Sequence, residues 1–91
     1  MNSKKKVLHV STAFSWRGGE QQLAYLLDEL NGEIEQFVLC AKGSAMESHC
    51  KKNGFNYYAA KKRSSFDLSF AKILKKLCRD LEIDLCHLHD A

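Results

Sequence analysis

Residues 7–27 read VLHVSTAFSWRGGEQQLAYLL, and the fold turns on how this stretch divides. Lys6 to Thr12 is a β-branched apolar run, the composition of a strand buried on both faces. From Gly19 to Leu30 the apolar residues Leu23, Leu26, Leu27 and Leu30 recur at helical spacing. Between them stands a paired glycine, Gly18-Gly19, flanked by Trp16-Arg17 and Glu20-Gln21-Gln22. A strand-to-helix turn needs one glycine at most, so the pair raises the question of what comes close to the backbone there.

Working outward, the same alternation repeats. Asn31-Gly32 is the expected left-handed stop of the first helix. Residues 36–41, QFVLCA, form a second strand. Ser44-Ala45-Met46-Glu47 matches a capping box and opens a helix that runs to a second stop at Asn53-Gly54. Phe55 to Ala60 is a third, weaker strand. Ser64-Ser65 leads into a long amphipathic helix whose stripe is Phe70, Ile73, Leu74, Leu77, Cys78 and Leu81. Asp84 to His89 is the fourth strand.

The order β-α-β-α-β-α-β implies an α/β fold with a parallel sheet covered by helices on both faces. Right-handed crossovers favour a three-layer, Rossmann-like arrangement with strand order 3-2-1-4. Ligands in such sheets bind beyond the carboxyl ends of the strands where the order reverses. The two unusual segments, WRGGEQQ and HLHDA, both fall there. The chain stops one residue past Asp90, with no helix after the fourth strand. Residues 1–91 are therefore expected to be the first part of a larger domain, truncated after strand 4.

Composition limits the function classes. Of the 91 residues 45% are hydrophobic and 27% charged, as in an ordinary globular domain. A net charge of +3 is too weak to imply nucleic acid without a concentrated basic face. No apolar run reaches the roughly 20 residues that span a bilayer, and Val7-Leu8-His9-Val10 is too short for a signal peptide. A cytoplasmic protein is expected. Cys40, Cys50, Cys78 and Cys86 lack metal spacing and lie in apolar segments, which suits reduced, buried thiols.

Each motif has a structural reading beside its chemical one. Gly18-Gly19 either lets the helix pack close to the sheet or presents helix N-terminal amides to an anion, with Arg17 as a supporting cation. The spacing is not GxGxxG and not a phosphate-loop pattern, which disfavours a dinucleotide or P-loop site. His87 and His89 share one face of a strand and could ligate a metal. The other histidines, His9 and His49, have no helpful spacing to them, so no metal is expected. His87 reads instead as a hydrogen-bonded interior residue, with His89 and Asp90 directed into a cleft. The basic residues Lys51-Lys52, Lys61-Lys62-Arg63, Lys72, Lys75, Lys76 and Arg79 read as solvated faces, or as a surface drawn to anionic membrane.

KVLHVSTAFSWRGGEQQLAYLL, LCAKGSAMESHCKKNGF and DLEIDLCHLHDA, in this order and spacing, resemble the N-terminal domain of bacterial GT-B-fold glycosyltransferases of group 1 (family 4). The resemblance covers nearly the whole chain. It implies an enzyme of two Rossmann-like domains that transfers a sugar, with retention, from a nucleotide sugar to an acceptor hydroxyl in cell-envelope glycan synthesis, such as lipopolysaccharide. It implies no cofactor or metal, a glycan or lipid-linked acceptor, and a cytoplasmic location at the inner face of the membrane. By position Arg17, Gly18, Gly19, Glu20 and Gln21 would form the donor-phosphate or acceptor loop, with His89 and Asp90 at the cleft floor. The C-terminal nucleotide-sugar domain is absent, so this piece alone would be inactive, and its open fourth strand could self-associate. The rival readings are a small flavodoxin-like anion-binding module without activity and a fragment of a metal hydrolase.

Overall fold

The strand-forming runs pair side by side because their backbones can satisfy one another while both faces carry apolar side chains. The structure, a computed structural model, describes residues 4–61 and 68–89. In chain order the elements are β1 (Lys6–Ser11), α1 (Gly18–Glu29), β2 (Glu35–Ala41), α2 (Ala45–Asn53), β3 (Tyr57–Ala60), α3 (Leu68–Asp80) and β4 (Leu85–Leu88). All pairings are parallel and the sheet order is β3-β2-β1-β4, the Rossmann-like order expected from the alternation.

Strand alternation sorts the core into two layers. Leu8, Val10, Phe37, Leu39 and Ala60 form one cluster with Phe70, against which Leu74, Leu77, Cys78 and Leu81 of α3 and its exit pack. Val38 and Cys40 face the other way, onto Leu23 and Leu27 of α1 and Met46 and Cys50 of α2. By the same alternation His9 and Ser11 of β1 and Gln36 of β2 lie on the α1 side. Ile73, expected in the α3 stripe, sits at its edge and is 37% exposed.

The helix boundaries differ from expectation in ways that have physical causes. α1 ends at Glu29 with Leu30 as its cap at φ −96°, so the left-handed residue is not the cap. Gly32, at φ +89°, takes that conformation in the turn that follows. α2 does stop on a left-handed glycine, Gly54, whose N–H donates to the Cys50 carbonyl. At its start Ser44 Oγ accepts from the Glu47 N–H, but the Glu47 carboxylate reaches Gly43 N–H rather than Ser44 N–H. The Ser44 amide is already donated to the Ala41 carbonyl. β3 and β4 are shorter than read, four residues each. Ser64-Ser65, Lys62-Arg63 and Asp90 lie outside the described residues.

Coverage of the sheet is uneven. The first three strands carry buried positions, but every residue of β4 is exposed. Leu85 is 59% and Leu88 57% exposed, on opposite faces of the strand. α3 reaches this strand at Cys78, which lies beside Cys86 without burying it. β4 is held by its ladder to β1, by Asp84 N–H to the Lys6 carbonyl and by His89 N–H to the Val10 carbonyl.

Candidate functional site

The carboxyl ends of β1 and β4 meet the N-terminus of α1 at the point where the strand order reverses. Arg17 caps α1 although arginine has no acceptor to offer. The capping comes from the opposite direction: the Glu20 carboxylate, 1% exposed, accepts the Arg17 N–H at 3.0 Å. Its other oxygen lies 3.4 Å from Ser11 Oγ of β1. Glu20 therefore pins the helix start to the end of the central strand. Arg17 Nε stands 3.8 Å from the same carboxylate, on a side chain 53% exposed. Gln21 accepts from the Trp16 indole N–H at 3.0 Å, and the indole rests on the His49 ring at 5.0 Å between centroids.

The two glycines of the turn do different things. A Cβ on Gly19 would stand 3.4 Å from the His89 carbonyl oxygen, so this glycine brings α1 down onto the end of β4. A Cβ on Gly18 would meet nothing within 4 Å. Part of what comes close to the backbone is thus the chain itself, and only at the second glycine.

Register assembles a histidine group that spacing along the sequence does not reveal. β1 and β4 pair with His9 opposite His87, and paired residues of neighbouring strands point to the same face. His89, two residues on, follows them onto that face. His9 Nδ1 and His89 Nε2 are 3.0 Å apart, and His9 Nε2 is 3.0 Å from Gln36 Oε1. The Gln36 amide nitrogen donates to the Leu27 carbonyl of α1 at 3.1 Å, which fixes Oε1 as the acceptor toward His9. His9 therefore carries its proton on Nε2 and presents a bare Nδ1, to which His89 Nε2–H donates. One direction of donation runs from His89 through His9 to Gln36, which in turn donates to Leu27.

The burial of the pair is the reverse of that expected. His87, read as interior, is exposed, on the face of β4 opposite to the one that Cys78 of α3 meets at Cys86. His89, expected to project into a cleft, is 9% exposed and turns inward onto His9, itself 2% exposed. Burial pushes the His9 pKa below its ordinary value; the hydrogen bond to Gln36 opposes this, and the neighbouring His87 adds to it.

The thiols separate in the same way. Cys40 and Cys50 are buried, Cys78 is half-buried and Cys86 is exposed, so the expectation of four buried thiols holds for only part of the set. Burial, with Glu47 nearby, pushes the Cys40 thiol up to about 11. Burial, with Cys40 beside it, pushes Cys50 up to about 12. The basic residues Lys51, Lys52, Lys61, Lys72, Lys75, Lys76 and Arg79 are all exposed. At the amino ends of the strands Lys4, Asn31, Glu35 and Asn56 line an open groove of about 240 Å³, which Gln36, the partner of His9, also borders. No helix among the described residues is long and apolar enough to cross a membrane.

Comparison of the chain with protein-family models, with curated proteins and with solved structures finds no match.

Proposed function

We propose that the chain is the acceptor-side portion of a two-domain glycosyltransferase, which moves a sugar from a nucleotide-sugar donor to an acceptor hydroxyl at the cytoplasmic face of the membrane. The observation that carries this reading is the open space over Gly18 at the head of α1, beside His89 at the reversal point of the sheet. Packing within the described residues does not require a glycine at that position, whereas close approach of a ligand to the helix start does. A helix N-terminus favours an anionic group, and the exposed Arg17 adds a cation next to it. Donor phosphates suit both features. The strand order 3-2-1-4 supplies the scaffold but is shared by many activities.

Titration of the isotope-labelled protein with uridine and guanosine diphosphate sugars tests the reading. Amide shifts clustered on Arg17 to Gln21 and His89, removed by Gly18→Val without loss of the folded spectrum, are expected. Absence of any response to nucleotide sugars, together with a tight response to flavin or inorganic phosphate at the same amides, would instead favour a simple anion-binding module. The coding sequence downstream of Ala91 gives a second check: the reading requires a second Rossmann-like domain encoded in frame.

A further inference from the structure

We propose that His9, His87 and His89 form a binding site for one divalent cation of the zinc class, with a fourth coordination position open to solvent. The proposal goes beyond the sugar-transfer reading, which uses no metal, and does not depend on it.

The donor atoms are already gathered. Each histidine offers one ring nitrogen, and the three nitrogens lie within 4.8 Å of one another. Two nitrogens bound to a tetrahedral zinc at about 2.0–2.1 Å stand roughly 3.3–3.4 Å apart. The His9 Nδ1 to His89 Nε2 separation is 3.0 Å, so a metal replacing the shared proton needs only a slight opening of this pair. His87 lies farther off, but its side chain is exposed and can rotate inward. The His87 and His89 rings are 3.9 Å apart between centroids, which sets them side by side on one face.

The second observation is the state in which His9 is held. Metal-binding histidines characteristically donate their other ring N–H to an oxygen acceptor, which fixes the tautomer and aims the lone pair. His9 has this arrangement without any metal. Its Nε2–H is committed to Gln36 Oε1, Gln36 is oriented by the Leu27 carbonyl, and the lone pair of Nδ1 points at His89. On metal binding the His89 proton moves from Nε2 to Nδ1, so neither residue must change its charge. Neutral imidazoles suit zinc, copper, nickel and iron among divalent ions, and not magnesium or calcium. Three protein nitrogens on the walls and solvent beside His87 leave room for a bound water or an oxygen ligand.

The test uses the chain stripped with a chelator and titrated calorimetrically with zinc alone. One zinc per chain is expected, and cobalt in its place should give the visible spectrum of a tetrahedral nitrogen site. His87→Asn changes an exposed residue and should weaken binding at least 10-fold; Gln36→Met should weaken it by about 10–100-fold through loss of the His9 orientation. Zinc at 100-fold above its Kd should raise Tm by roughly 10–20 °C. His49→Asn and the double variant Cys78→Ser/Cys86→Ser should bind as the parent does. The proposal is overturned if the parent shows no saturable one-to-one binding, if His87→Asn binds as tightly as the parent, or if removing the two thiols abolishes binding.

Discussion

Replacing Glu20 by alanine removes a buried carboxylate that ties the start of α1 to the end of β1. The loss can be worked from the contacts. The 3.0 Å bond from Arg17 N–H to a carboxylate is charge-assisted, a class worth about 1.5–3 kcal/mol. The Ser11 hydroxyl at 3.4 Å is long and adds little. An anion in the first helical turn contributes a further ~0.3–1 kcal/mol through the helix dipole. The Arg17 ion pair is 3.8 Å long on a largely exposed side chain and is screened to near nothing. Against these gains stands the desolvation of a carboxylate that is only 1% exposed, which places the net effect toward the lower end. Glu20→Ala should therefore destabilise by about 2 kcal/mol, or roughly 8–16 °C in Tm for a domain of this size. Glu20→Gln keeps an oxygen for the Arg17 amide and should lose only ~0.5–1 kcal/mol. Urea unfolding followed by far-ultraviolet circular dichroism gives both values. A Glu20→Ala variant within about 0.5 kcal/mol of the parent would refute the reasoning, as would equal losses for the two substitutions.

Three further outcomes follow from the same geometry. Gly18→Ala should stabilise by ~0.5–1 kcal/mol, because its Cβ meets open space and the unfolded chain loses freedom, whereas Gly19→Ala should gain less against the His89 carbonyl; paired melting curves decide this. With thiols at about 11 and about 12, Cys40 and Cys50 should be inert to a thiol reagent at neutral pH until the protein unfolds, while Cys86, exposed although partial burial and the neighbouring Cys78 push its thiol up as well, reacts first in the folded state; mass spectrometry of timed quenches reads the order. His9 has a folded pKa below its unfolded one, so the unfolded chain binds the extra proton. In metal-free protein its contribution to stability is present above the unfolded value of about 6.5 and is lost as the pH falls through the folded value. His87 and His89 face it on the same sheet surface and Gln36 bonds it from β2, so His9→Gln in the same background should flatten that slope in urea titrations.

The layers of the fold were readable because each depends on local periodicity. The run QFVLCA is buried at every position in β2, and the stripe ending at Leu77, Cys78 and Leu81 does pack on the sheet. The crossover rule then leaves few strand orders to choose from. The histidine group was not readable from spacing, because His9 and His89 are 80 residues apart and meet only through the β1–β4 register. A signal was present nonetheless: strands that become sheet neighbours each carry a histidine in mid-run, and alternation puts them on one face once the register is set. The Arg17 cap escaped recognition for another reason. Arginine has no acceptor, and the group that satisfies its amide is a glutamate three residues later, Glu20, which reads in sequence as part of the ligand-facing loop and in the structure is buried.

The bare edge strand gives the histidine group a dynamic property that its hydrogen bonds alone do not suggest. Among the described residues β4 pairs with a strand along one side only and has exposed side chains on both faces, so its opening requires little apolar surface to be lost. Opening carries His87 and His89 away while His9, on the central strand, stays in place. Assembly of the three-nitrogen set and closure of the sheet edge are then a single equilibrium seen from two sides. Amide exchange along Leu85 to Leu88 would measure how often the group exists, and whatever occupies it would slow that exchange by the factor with which it binds.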